Sequence, residues 1–115
     1  MITLSWPPKE LSPNTHCHWA VKAKAVKSYR NAAGWATKVS GEKVKGDGAI
    51  LLHVYFYPPS KRHFDEDNLI AMMKSGFDGI ADGLGVNDKR FKITQEICPP
   101  IKGSKGGQVR IIVTE

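Results

Sequence analysis

The chain has 115 residues, 41% of them hydrophobic and 24% charged, with a formal net charge of +6 and a pI near 9.4. That length holds one domain, residues 1–115, around a single modest core. No apolar run nears the ~20 residues of a membrane span and no basic-apolar leader opens the chain, so a cytoplasmic location without a membrane partner is expected.

The first stretch, Ile2-Thr3-Leu4-Ser5-Trp6, alternates like a short strand and stops at Pro7-Pro8. Lys9 to Thr15 reads as a loop, with Pro13-Asn14 as a turn signal and Asn14 or Thr15 as a helix-cap candidate. Cys17 and Cys98 form no CxxC spacing. His16-Cys17-His18 are consecutive, and three consecutive side chains do not readily converge on one ion, so no metal is assigned there.

From about His18 to Ser40 the pattern is helical. At ~100° per residue Trp19, Ala25, Val26, Tyr29, Ala33 and Ala36 share one side, while Lys24, Lys27 and Lys38 gather on the other. Arg30 falls at the edge of that basic side. Two readings stand for these bases: a solvated helix face, or a stripe that tracks phosphates. Gly41 suits the helix stop, and Gly46-Asp47-Gly48 is a turn.

Ala49 to Tyr57 is the strongest strand. Ile50, Leu52, Val54 and Phe56 point one way, and Leu51, His53, Tyr55 and Tyr57 the other. Both faces are largely apolar, which predicts a central strand. His53 is given only a local hydrogen bond. Pro58-Pro59 ends the strand and the basic loop Ser60-Lys61-Arg62-His63 follows.

A second helix is expected from Glu66 or Asp67 to Gly83, with Leu69, Met72, Met73, Phe77, Ile80 and Leu84 as its core stripe. Asp67, Ala71, Lys74 and Asp78 fall on its opposite face. Gly83, Gly85 and Val86-Asn87-Asp88 make the exit loop. Phe91 to Ile97 alternates as a strand, a long connection carries Lys102 and Lys105, and Val109 to Thr114 closes the chain. The order β-α-β-α-β-β gives an α+β class: a four-stranded mixed sheet with two helices packed on one face. The last two strands are most simply an antiparallel pair.

Charge is unevenly spread along these elements. Six of the eleven acidic residues lie between positions 65 and 88, where Lys74 is the one base; the remaining sixteen bases face five acids. A divalent cation bound by the carboxylates, with a phosphodiester held by the surrounding bases, reconciles the two. Asp65 and Asp67 stand where a loop runs into a helix, and in an extended stretch residues i and i+2 project to the same side. The plain alternative is that Asp65-Glu66-Asp67-Asn68 caps the helix. Asp88 adds a third carboxylate from a second loop. Three such groups suit Mg²⁺ or Mn²⁺ with positions left open for water and phosphate. Lys74 is placed to meet a phosphate oxygen, or simply to neutralise its acidic neighbours.

Arg62-His63-Phe64-Asp65-Glu66-Asp67-Asn68-Leu69, Phe77-Asp78-Gly79-Ile80 and Gly85-Val86-Asn87-Asp88 together resemble the RusA-type Holliday junction resolvases, especially phage-encoded members. Trp6-Pro7-Pro8, Pro13-Asn14 and the basic helix from Lys22 to Arg30 are similar too, so the resemblance covers nearly the whole chain. It implies a RusA-like fold and a homodimeric endonuclease that uses Mg²⁺, or Mn²⁺ in its place, to make paired nicks in four-way DNA junctions during recombination and repair. The family's functional aspartates map onto Asp65, Asp67 and Asp88. Its helix lysine maps onto Lys74, about one turn later here. Lys61, Arg62, Lys89 and Arg90 are then expected to hold phosphates beside the scissile bond, with Lys24 and Lys27 on the basic helix. The competing expectation is a dimer that holds branched DNA without cutting it. A small phosphohydrolase acting on nucleotides fits less well, because the bases are spread over several segments.

Overall fold

The computed structural model describes residues 1–103 and 106–115. Lys105, on the connection before the last strand, lies outside the described residues. The strands are β1 (Ile2–Ser5), β2 (Ile50–Tyr57), β3 (Phe91–Ile97) and β4 (Gln108–Thr114). The α-helices are α1 (Trp19–Ser40), α2 (Glu66–Met72) and α3 (Lys74–Leu84), with short 3₁₀ turns at Lys9–Leu11 and Asp88–Arg90. The class is α+β, with one mixed sheet in the order β1-β4-β2-β3.

β2 is an interior strand of the sheet, as its apolar run predicts. It pairs in parallel with β3, from Ile50↔Phe91 to Phe56↔Ile97, and antiparallel with β4. The expected pairing of the last two strands does not occur, because β2 lies between them. The connection after Ile97 is long enough to cross the end of β2, so adjacency in sequence does not enforce adjacency in space. The two faces of β2 also differ. Ile50, Leu52, Val54 and Phe56 are fully buried under the helices, whereas Leu51 on the other face is 46% exposed. On that open face His53 shares a hydrogen bond with the Thr94 hydroxyl, the local role expected of it.

α1 starts with the His18 ring accepting the Ala20 N–H (3.2 Å) and ends at Gly41, whose φ of 77° satisfies the left-handed stop. Its inward stripe is Tyr29, Ala33 and Thr37. Trp19 is not part of it: the ring is 76% exposed, stacked obliquely on His18 at the start of the helix.

The single second helix expected from the sequence is two helices. The break falls at Met73, whose N–H is shared between the Leu69 and Ile70 carbonyls (3.2 and 3.1 Å). Ser75-Gly76 follows at once, and Ser/Gly pairs are a common cause of helix kinks. Gly83 is helical rather than part of the exit loop; the stop is Gly85, with φ 71°. Gly76, Gly79 and Gly83 form one stripe where α3 meets α1. A Cβ on Gly79 would stand 2.8 Å from the Ala33 Cβ, and one on Gly83 2.7 Å from the Thr37 Cβ. The missing side chains let the two helices approach at backbone contact. The helix layer thus formed fixes both ends of the α2–α3 crossover against the sheet. Among the described residues no helix is long and apolar enough to cross a membrane.

Candidate metal and nucleic-acid site

The loop after β2 is held down by aromatic packing. Phe64 meets the Trp6 ring edge-on (5.3 Å between centroids), and Trp6 in turn meets Phe56 (5.9 Å). Anchoring Phe64 leaves its neighbours in sequence outside. Lys61, Arg62, His63, Asp65, Glu66 and Asp67 are all exposed and line one open cleft together with Ile97. Arg62 lies over the Phe64 ring at 4.8 Å, a cation–π contact that holds its guanidinium at the cleft wall.

Asp65 is extended (φ −77°, ψ 123°), and its Oδ1 accepts the Asn68 N–H at 3.2 Å. The capping role is therefore real, and it occupies one of the two carboxylate oxygens. Asn68 reaches on to the Ser12 hydroxyl (3.3 Å), tying the start of α2 to the turn after β1. Asp67 sits in the first turn of α2 on the exposed side. These two carboxylates, hard oxygen donors in an open cleft beside Lys61 and Arg62, fit a divalent cation in donor type and supply part of the donor set it needs.

Asp88 stands elsewhere. It opens the 3₁₀ turn before β3, beside the start of β2, since Ile50 pairs with Phe91. Asp65 follows the far end of the same eight-residue strand, and at ~3.3 Å per residue the two ends are roughly 25 Å apart. Asp88 shares a second hollow with Lys74, Asp78, Phe91 and Ile93. Among the described residues of one chain, no three His, Cys, Asp or Glu side chains gather closely enough to hold a metal ion. The acidic segment is thus two clusters. Asp65, Glu66 and Asp67 lie at one end of the β2–β3 pair, and Asp78, Asp82 and Asp88 lie near the other. Lys74 belongs with the second cluster.

The bases divide likewise. Arg30 makes a two-pronged ion pair with Asp82 (2.7 and 2.9 Å). That hydrogen-bonded pairing lowers the Asp82 pKa and raises that of Arg30, with smaller contributions to Arg30 from Asp78 and Asp88. Arg90, expected to hold phosphate, instead donates to the carbonyls of Gly48 (3.0 Å) and Gly46 (2.5 Å) and clamps the turn before β2. Lys89 beside it is exposed, as are Lys61, Lys24 and Lys27. His63 was given no role by sequence reasoning, yet it lines the Asp65–Asp67 cleft. Its place two residues before Asp65 was the available signal, and an extended loop puts it on the same side.

A protein of Xylella fastidiosa described as uncharacterized is 40% identical over 120 aligned residues, covering 98% of this chain and 74% of that one. The chain belongs to the family of that protein. No known protein-family model matches the chain.

Proposed function

We propose that the protein is a metal-dependent, structure-selective DNA endonuclease of the RusA type, working as a homodimer on branched DNA such as the four-way junction. The observation that carries this reading is the Asp65–Asp67 pair, exposed in a cleft walled by Lys61 and Arg62 on a strongly basic chain. Mg²⁺ or Mn²⁺ held by these carboxylates would offset charge on the scissile phosphate and lower the pKa of a bound water. Lys61 and Arg62 would seat the flanking phosphates, and His63 is within the same cleft to exchange a proton with solvent. Asp88 is too far from Asp65 in one chain to serve the same ion, and Lys74 shares the hollow of Asp88. In the homodimer the third aspartate of each site comes from the second copy. Lys89 beside Asp88, and Lys24 and Lys27 on α1, extend the basic surface for a long polyanion.

The capping bond from Asp65 favours a second reading, a dimer that binds branched DNA without cutting it. Asp65→Asn separates the two. Asparagine caps a helix about as well as aspartate, so α2 survives while one negative charge is lost. With labelled junction in Mg²⁺, the nuclease reading expects cleavage by the parent chain, none in EDTA, and none by Asp65→Asn, whose junction binding is kept. A parent chain that binds junctions but never nicks them in Mg²⁺ or Mn²⁺ supports the second reading instead.

A further inference from the structure

β1 and β3 are the two edge strands of the sheet, and the sequence of β3 is complementary to itself. We infer that two copies of the chain join along β3, antiparallel, with the two-fold axis through Thr94. The backbone sets the phase. The Cys98 N–H donates to the Phe56 carbonyl (2.8 Å), so the even-numbered groups along this strand face β2, and those of Ile93, Gln95 and Ile97 face outward. An antiparallel partner must therefore meet odd positions with odd positions. The register about Thr94 does so and pairs the full length of the strand, Phe91 with Ile97 and Ile93 with Gln95. The 3₁₀ turn at Asp88–Arg90 limits it at one end, and Pro99, which has no N–H to give, at the other.

Side chains agree with that register. On the open face Lys92 comes opposite Glu96 of the second copy, twice by symmetry, with Thr94 against Thr94 on the axis. Opposite charges directly across a strand pair stabilise it, and like charges do the reverse. On the helix face Phe91 meets Ile97, and Ile93, 39% exposed at the rim of the helix layer, gains cover. Charged residues on an edge strand ordinarily block pairing. Here a parallel partner in register would oppose lysine to lysine, and the two-fold antiparallel one turns the same charges into contacts.

This surface also says how two chains could complete the site, and in that respect it rests on the proposed nuclease reading. The cleft with Asp65 and Asp67 borders Ile97, and the hollow with Asp88 borders Phe91. Pairing Ile97 with Phe91 of the second copy brings the two acidic clusters, far apart in one chain, to the same end of the joint.

Sedimentation of the whole chain tests the surface. The parent is expected to be a dimer at micromolar concentration. Lys92→Glu and Glu96→Lys should each weaken the dimer at least tenfold, and the double exchange should restore it. In a Cys17→Ser, Cys98→Ser background, Thr94→Cys should oxidise to a disulfide-linked dimer, since facing residues in this register lie within disulfide reach, whereas Thr3→Cys on β1 should not. A monomeric parent, a dimer indifferent to the charge exchanges, or no cross-link at Thr94 overturns the inference. A Thr94-linked dimer that never cuts DNA leaves the surface standing and removes the nuclease; a Mg²⁺-dependent nuclease without the link does the opposite.

Discussion

The joint between α1 and α3 and the free edge at β3 use small and charged residues in opposite ways. Along α1–α3 little is left over: Gly76, Gly79 and Gly83 bring the backbones together, the Tyr29 hydroxyl donates to the Ser5 carbonyl (2.7 Å), and Arg30 is closed onto Asp82, though the buried Ser75 hydroxyl on α3 has no partner among the described residues. Burial pushes the Tyr29 phenol far above its ordinary range, so it stays a neutral donor at any working pH. At the β3 edge much is left over. Backbone groups point outward, Ile93 is half covered, and Asp65, Asp67 and Asp88 face solvent at its two ends. The contrast separates what holds the fold from what the fold offers to a partner: a region whose groups are already satisfied has no spare chemistry.

The largest expected effect breaks the edge side of that contrast. If each site takes Asp65 from one chain and Asp88 from the other, Asp65→Asn and Asp88→Asn chains are each inactive alone. A mixed dimer of the two carries both defects in one site and none in the other. Mixing them in equal amounts should restore nicking at about a quarter of the parent site concentration, because half the dimers are mixed and each has one whole site. The readout is nicked junction in Mg²⁺ after the mixture is allowed to exchange subunits. No recovery, with exchange shown by co-purification of one variant through an affinity tag on the other, would place each site within a single chain.

The next effect falls on the helix joint. Gly79→Val inserts a branched side chain where even a Cβ would press on the Arg30 carbonyl and the Ala33 side chain. The helices must part, at a cost of about 3 kcal/mol, read as a lower midpoint in urea unfolding. Asp65→Asn in the same assay should hardly move. If Gly79→Val were neutral, the close approach would not be what fixes the crossover.

Much of this was legible in the sequence. The alternation of Ile50 to Tyr57, the stripe from Leu69 to Ile80 and the stops at Gly41 and Pro58-Pro59 each follow from local periodicity or backbone preference, and each stands in the structure. Spacing alone also carried the glycine stripe: 76, 79 and 83 fall on one helical face, a signal that reading Gly83 as a loop residue hid. What was not legible depends on topology. Nothing local to Phe91–Ile97 says that it pairs in parallel with β2 and leaves β4 on the other side. That one choice sends Asp88 to the opposite end of the strand from Asp65. Arg90 shows the same limit, since its capture by the Gly46 and Gly48 carbonyls joins residues more than forty positions apart.

The smallest expected effect tests whether Arg30–Asp82 belongs to the satisfied side by strength or only by geometry. Both side chains are about half exposed (48% and 52%), so water and salt screen the pair and its share of stability is small. The sign is nonetheless fixed. The Arg30 hydrogen bond depresses the Asp82 pKa in the folded chain. Its contribution is therefore complete above the unfolded carboxylate pKa of ~4 and disappears as pH falls through the lower folded value. Asp82→Asn should leave the midpoint at pH 7 and high salt nearly unchanged, and should flatten the loss of stability as pH falls below about 4. A drop at pH 7 as large as that of Gly79→Val would mean that the ion pair, and not the absent side chains of the glycines, holds α1 against α3.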